Sequence, residues 1–291
     1  MPERGSPNLA RRRRLAEELR RLRERARLTG DEVVEKLKWP ARSKLSRIEQ
    51  GSSGLKPNDL ESLLTLYKVS NAHREELIAL AEESRKSGPL QASGTRLPGE
   101  YVAFLEAEAD AESIRIWEPQ VVPGLFQTES YNRAILQAWV NRFPLPSAEV
   151  DRRVDALCLR QEVLTRDHPP KVEAIIDESV LLRKVGTSSL MSRQLEHLIT
   201  ISEMTNVDLR VLPLSASHII VSCPFNYLKF PELHDVPLGD TVSVETLAGM
   251  QYAGDDEVYQ YWAVFDSLAE SALNPEQSRE LIGSVINTKW A

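Results

Sequence analysis

The sequence predicts an all-helical N-terminal domain joined to a mixed α/β domain of about four or five strands, and three observations carry that expectation. Residues 29–51, TGDEVVEKLKWPARSKLSRIEQG, divide into two short amphipathic helices across a tight break. Periodicity stops within 87–99, SGPLQASGTRLPG, a stretch dense in Gly, Pro and Ser. From residue 100 onward, short segments of strand composition alternate with amphipathic helices. The chain therefore reads as a domain over 1–86, a linker over 87–99 and a second domain over 100–291.

The first domain starts with a long helix over 8–27, where Leu15, Leu19, Leu22 and Ala26 make one buried stripe. Arg11, Arg12, Arg13 and Arg14 crowd its start. Cations there oppose the helix dipole, so contact with phosphate explains them better than helix stability does. Thr29 caps the next helix, Glu32 completes a capping box, and Val33, Val34 and Leu37 face inward until Pro40 ends the helix. The following helix starts at Ala41 or Arg42. Leu45 and Ile48 point to the core, so Ser43, Ser46, Arg47 and Gln50 point outward, flanked by Arg42 and Lys44. Short hydroxyls let a helix sit close to a surface, while Arg and Lys reach base edges and phosphates. That pattern suits the major groove of DNA better than an ordinary solvated face. A helix over 58–67 and another capped by Asn71 complete the core.

In the second domain, helices are expected over 128–140, 148–166, 255–270 and 275–288, with one more over MSRQLEHLITISEM. Strands are expected at Ser113 to Trp117, KVEAIIDE, VDLRVLPL, FNYLKF and TVSVET.

Charge divides the chain in the same place. Residues 1–90 carry 20 Lys and Arg against 14 Asp and Glu, a net +6, whereas the rest carries 16 against 29, a net −13. A basic module is joined to an acidic one that stays off phosphates, which the overall −7 conceals. No run approaches the roughly 18 apolar residues of a membrane span, and the basic N-terminus lacks the apolar stretch of a secretory signal. A cytoplasmic, nucleoid-associated chain without a membrane partner is expected. Cys158 and Cys223 lie far apart and read as buried thiols in a reducing compartment.

Residues 8–83, above all LRRLRERARLTGDEVVEKL and SKLSRIEQG, resemble the five-helix DNA-binding domain of the phage-repressor (XRE) family. The fold class is thus α + α/β, a phage-repressor-like helix-turn-helix head followed by a mixed α/β domain. The resemblance implies base reading by Arg42, Ser43 and Arg47, to which orientation adds Ser46. It also implies a structural pair between Arg23 and Glu49. Phosphate contact then falls to Arg11, Arg12, Arg13, Arg14, Lys44 and Gln50. Gly30 stands in place of the family's Gln, Val34 in place of a small Ala, and the turn Lys38-Trp39-Pro40-Ala41 is longer and lacks its Gly.

The segments EPQVVPGLFQTESYNRAIL, LRQEVL, IIDESVLLRKVG, NVDLRVLPLSA and PFNYLKF resemble the C-terminal domain of an actinobacterial family of toxin-antitoxin-like or WhiJ-like transcriptional regulators. That resemblance implies a transcriptional regulator, read here as a repressor, controlled by a small partner protein or a ligand. A homodimer on double-stranded DNA is expected. The competing reading is an antitoxin-like protein that sequesters a small partner and autoregulates; an enzyme with a DNA-binding head comes third.

No nucleophile elbow, dinucleotide fingerprint, phosphate loop or paired-histidine helix motif occurs, so neither catalysis, cofactor nor metal is expected. Asp177 and Glu178 point to opposite faces of a strand, and Glu178 reads as a cap for the next helix. Trp117, Phe126 and Tyr131 flank Pro123-Gly124. They form either a packed core or a ligand or partner pocket, with Glu118, Gln127 and Arg160 as polar contacts.

Overall fold

The computed structural model describes residues 9–49, 55–83, 99–142, 147–221, 223–231, 240–246, 249–253 and 255–291. The chain divides into two compact units, and the longest continuous run of the second begins at Glu108. The linker expected over 87–99 lies almost wholly outside the described residues.

The first unit holds α1 (Leu9–Arg25), α2 (Gly30–Lys36), α3 (Arg42–Glu49), α4 (Pro57–Leu66) and α5 (Asn71–Glu83). Its core is the stripe Leu15, Leu19 and Leu22 packed on Val33, Leu45, Ile48, Leu60, Leu63, Leu64, Leu77 and Leu80. α1 packs on both α3 and α5, and α2 packs on α3. The Thr29 hydroxyl accepts from Glu32 N while the Glu32 carboxylate accepts from Thr29 N, the reciprocal bonds of a capping box. α5 includes Asn71 itself, and Arg74 N donates to Ser70 O, so the helix starts one residue earlier than an Asn71 cap would allow.

Helices α1, α2 and α4 end in the same way. Arg27, Lys38 and Lys68 adopt left-handed φ angles of 55°, 53° and 56°. The following amides, Leu28, Trp39 and Val69, donate back to Arg23 O, Val34 O and Leu64 O, which closes a Schellman motif each time. Leu28, Trp39 and Val69 then pack against the core. A basic residue thus occupies the position that glycine usually takes; its charge complements the carbonyl end of the helix dipole. In the turn after α2 this explains the missing glycine: Lys38 supplies the left-handed residue itself.

The second unit contains a six-stranded sheet in the order β3-β2-β1-β4-β5-β6. Its strands are β1 (Ser113–Glu118), β2 (Lys171–Asp177), β3 (Val207–Leu212), β4 (Phe225–Lys229), β5 (Thr241–Thr246) and β6 (Gly249–Tyr252). β1, β2 and β3 run parallel, and β4, β5 and β6 continue antiparallel. Parallel neighbours need crossovers. α7 (Glu129–Val140) and α8 (Ser147–Gln161) carry the chain from β1 to β2, and α9 (Glu178–Leu182) and α10 (Ser188–Ser202) carry it from β2 to β3. One face of the sheet, with Trp117, Ile175, Leu212, Phe225 and Val242, is covered by Phe265 and Leu268 of α11 (Asp255–Ser271). α12 (Pro275–Val285) packs on α10 and β3. A closing turn, Ile286–Trp290, is pinned where the Trp290 indole donates to Leu181 O at 2.8 Å. The remaining helix, α6 (Gly99–Asp110), precedes β1.

Three expectations need correction. The sheet gains β6, four residues too few to signal a strand by themselves, which become one by pairing with the edge of β5. Asp177, rather than Glu178, caps α9, accepting from Ser179 N at 2.9 Å, while Glu178 accepts from Leu214 N at 2.8 Å. Cys158 is exposed on α8, because its neighbours Ala156 and Leu157 take the inward positions, and Cys223 is only half-buried.

Candidate nucleic-acid interface

α3 is fixed from its inner side. Leu45 and Ile48 are 2% and 5% exposed, so the residues between them must face out. At its C-terminal end Glu49 is gripped by the guanidinium of Arg23 on α1, with Nε–Oε1 at 2.7 Å and Nη2–Oε2 at 3.1 Å. The third nitrogen, Nη1, donates to Leu28 O at 3.0 Å, so the same side chain ties together α1, its Schellman turn and α3. The Glu49 carboxylate raises the Arg23 pKa further above its already high value.

Arg42, Ser43, Ser46 and Arg47 are all exposed on the outer face. Arg42 Nη1 lies 3.1 Å from Asp31 Oδ2 of α2, with both side chains largely in water. Such a surface pair is worth ~0–1 kcal/mol, little enough for a base or phosphate to displace it. Gly30 sits beneath this arginine, where a Cβ would lie 3.3 Å from Arg42 Nε, a close contact that the exposed side chain can relieve by shifting. Arg47 Nε donates to Ser43 O at 3.1 Å, one turn back on its own helix.

Lys44, expected as a phosphate-contacting flank, forms an ion pair within the head. Its ammonium is 2.6 Å from Asp59 Oδ1 of α4 and 4.1 Å from the centre of the Trp39 ring, which holds the side chain against the head. Trp39 stands out in the sequence only as part of the turn after α2 and Asp59 not at all; they lie 5 and 15 residues from Lys44, with no motif joining them. Arg11, Arg12, Arg13 and Arg14 belong to α1, but their side chains, like Gln50, lie outside the described residues.

In the second unit, Trp117, Phe126 and Tyr131 are fully buried and Gln127 is nearly so. Polar groups stitch the turn before α7 in place. Gln127 Nε2 donates to Val122 O at 2.6 Å and Gln127 Oε1 accepts from Asn132 Nδ2 at 2.7 Å, while Val122 N donates to the Tyr131 hydroxyl at 3.3 Å. Gln161 Nε2 donates to Gly124 O and Gln127 O, and Gln194 Nε2 donates to Phe126 O at 2.7 Å. Arg160 forms a two-pronged pair with Glu108, itself 1% exposed at the side chain, with Nη2–Oε1 at 2.7 Å. A Cβ at Gly124 would collide with Arg160 Nη1, so this turn needs glycine for a close approach. Burial pushes the Glu118 carboxyl up to about 7, against hydrogen bonds from Gln120 N and Val121 N that pull it back, and pushes the Tyr131 hydroxyl up to about 12. Of the six residues named for this region, Phe126, Gln127, Tyr131 and Arg160 meet at one packed and hydrogen-bonded turn, whereas Trp117 packs under α11 with Phe225 and Leu268. Glu108 and Gln194, which complete the turn, carry no local signal; their partners are 52 and 68 residues away.

A helix-turn-helix domain family matches residues 14–77, and a family described as Domain of unknown function (DUF5753) matches residues 101–284, more than half of the chain. The chain belongs to the DUF5753 family. No curated protein matches it, and no solved structure does. In this DUF5753 chain the helix-turn-helix match spans α2 and α3, with their outward residues and the Arg23–Glu49 pair. The DUF5753 match takes in the whole sheet and the Gly124 turn. Among the described residues no helix is long and apolar enough to cross a membrane.

Proposed function

We propose that this DUF5753 chain is a sequence-specific DNA-binding transcriptional regulator whose helix-turn-helix head reads the major groove through α3. The observation that carries this is the outer face of α3. Arg42, Ser43, Ser46 and Arg47 are presented together on a helix whose inner face and C-terminal end are held by Leu45, Ile48 and Glu49. Arg at such a position pairs with a guanine edge, and the two serines keep the helix close to the groove floor. Residues beyond 90 carry −13, which repels phosphate and leaves DNA contact to the head. We assign the second unit to dimerisation and to reception of a small partner protein or ligand, with repression as the output and no catalytic step.

Arg47→Ala tests this. The variant is expected to keep its circular dichroism and melting behaviour while losing discrimination between its operator and random DNA by ~1–3 kcal/mol. Equal weakening on both DNAs would remove Arg47 from the base readers.

A further inference from the structure

The first unit also contains a groove of about 950 Å³, built from the ends of α1, α2 and α4 and the start of α5. Its apolar lining comes from Leu22, Ala26, Leu28, Leu66 and Val69. Leu28 and Val69 are the residues that fold back after the left-handed Arg27 and Lys68, so two of the Schellman turns also shape this wall. Around it stand four cations, Arg21, Arg25, Lys36 and Lys68. Arg21 leans on Glu18 at 3.2 Å. Arg25, Lys36 and Lys68 are exposed and enter no ion pair among the described residues. The groove's one acid, Glu76, is already bonded to His73 at 3.1 Å. Tyr67 is part of the same wall; it is 6% exposed, and its buried hydroxyl has no hydrogen-bond partner among the described residues.

Helix dipoles account for a cation at each of these helix ends taken singly. They do not account for the gathering of four around one apolar surface beside an unpaired buried hydroxyl. We propose that this groove is a binding site for a small amphipathic organic anion, an aromatic or alkyl carboxylate or sulfonate whose apolar body covers Leu22, Leu28 and Leu66 while its charge meets Arg25 and Lys68. The volume falls in the range of about 300–1,000 Å³ that small ligands occupy, and the composition, about half apolar with cations outnumbering the single acid, fits an amphipathic anion. An acidic protein segment or a DNA phosphate are the competing occupants. The position also gives such a ligand an outlet. Arg21, Leu22 and Arg25 share α1 with Arg23, the residue that grips Glu49 of α3, and Tyr67 lies within electrostatic reach of both Arg23 and Glu49. Binding here therefore bears on how firmly the DNA-reading helix is held, by a route distinct from any signal received in the second unit.

The test uses the full chain and anilinonaphthalene sulfonate as the probe, followed by fluorescence and by amide chemical shifts, and needs no DNA for its first arm. Saturable binding at one site is expected, with shifts concentrated at Leu28, Lys68, Ser70 and Ala72. Neutral phenylnaphthylamine should bind at least about tenfold more weakly, and Arg25→Gln combined with Lys68→Gln should weaken the sulfonate by a similar factor. The charge-keeping pair Arg25→Lys and Lys68→Arg should retain it, which separates loss of charge from loss of fold. Unchanged binding in the Gln pair, equal affinity for the neutral probe, or shifts that map outside the groove each overturn the proposal. So does an unchanged sulfonate affinity accompanied by a uniform loss of DNA affinity and a shallower salt dependence, which would make these cations phosphate contacts.

Discussion

Arg23 connects three parts of the head through one side chain. Its guanidinium satisfies both oxygens of Glu49 and a backbone carbonyl, with 15% and 13% of the two side chains exposed. Removing either partner strands the other charge in a half-dry site, so the two losses should not add. Arg23→Ala, Glu49→Ala and the double variant, measured by urea unfolding, are expected to give a coupling of about 1–3 kcal/mol; strictly additive losses would show that the contact contributes nothing. Glu118 behaves differently because its charge has no ion-pair partner among the described residues. Its folded-state pKa of about 7 exceeds its ordinary 4.5, so the folded chain holds that proton more tightly than the unfolded chain. The contribution is therefore fully present below about pH 4.5, is lost as pH rises toward 7, and is absent above that. Glu118→Gln keeps an acceptor for Gln120 N but no charge. It should raise stability at pH 8 by an amount on the order of 1–2 kcal/mol and leave it unchanged at pH 4. An equal gain at both values would rule out titration as the cause.

At the level of elements, the head is shaped by how its helices stop. Three Schellman turns, after α1, α2 and α4, turn the chain back onto the core, each with a basic residue in the left-handed region. A side chain at such φ costs up to ~1–2 kcal/mol, most of which glycine avoids, though glycine also makes the unfolded chain more flexible. Lys38→Gly should therefore raise the melting stability of the head by about 0.5–1 kcal/mol. Lys38→Val, β-branched at the same angle, should lower it. A glycine variant no more stable than the parent would mean that the lysine charge at the end of α2 outweighs the backbone strain.

The whole molecule is a basic head on an acidic second unit, +6 for residues 1–90 against −13 for the remainder. One head presents four exposed residues, proposed as readers, on an eight-residue helix, few contacts for locating a site in a genome. Two heads joined through their second units would engage half-sites about 34–36 Å apart and gain affinity from effective concentration alone. Sedimentation of the full chain is expected to show a dimer, and footprints to show two protected half-sites one helical turn apart. A monomer protecting a single half-site with full affinity would reject that arrangement.

The sequence by itself determined what depends on neighbours within a turn or two. The capping box at Thr29 and Glu32, the inward Leu45 and Ile48, and the strands from β1 to β5 were all legible, because each is encoded at spacings of two to four residues. Tertiary structure decided the rest. The strand order, with parallel β1–β3 meeting antiparallel β4–β6, depends on crossovers that no local pattern specifies. β6 forms only because β5 offers it an edge. The ion pair between Lys44 of α3 and Asp59 of α4 joins residues 15 apart in sequence. The Glu108–Arg160 pair that fixes the Gly124 turn, and the groove assembled from three helix ends, likewise join residues far apart in sequence. Side-chain charge and hydrogen-bonding capacity are written at each position, but the partner that satisfies them is set by packing.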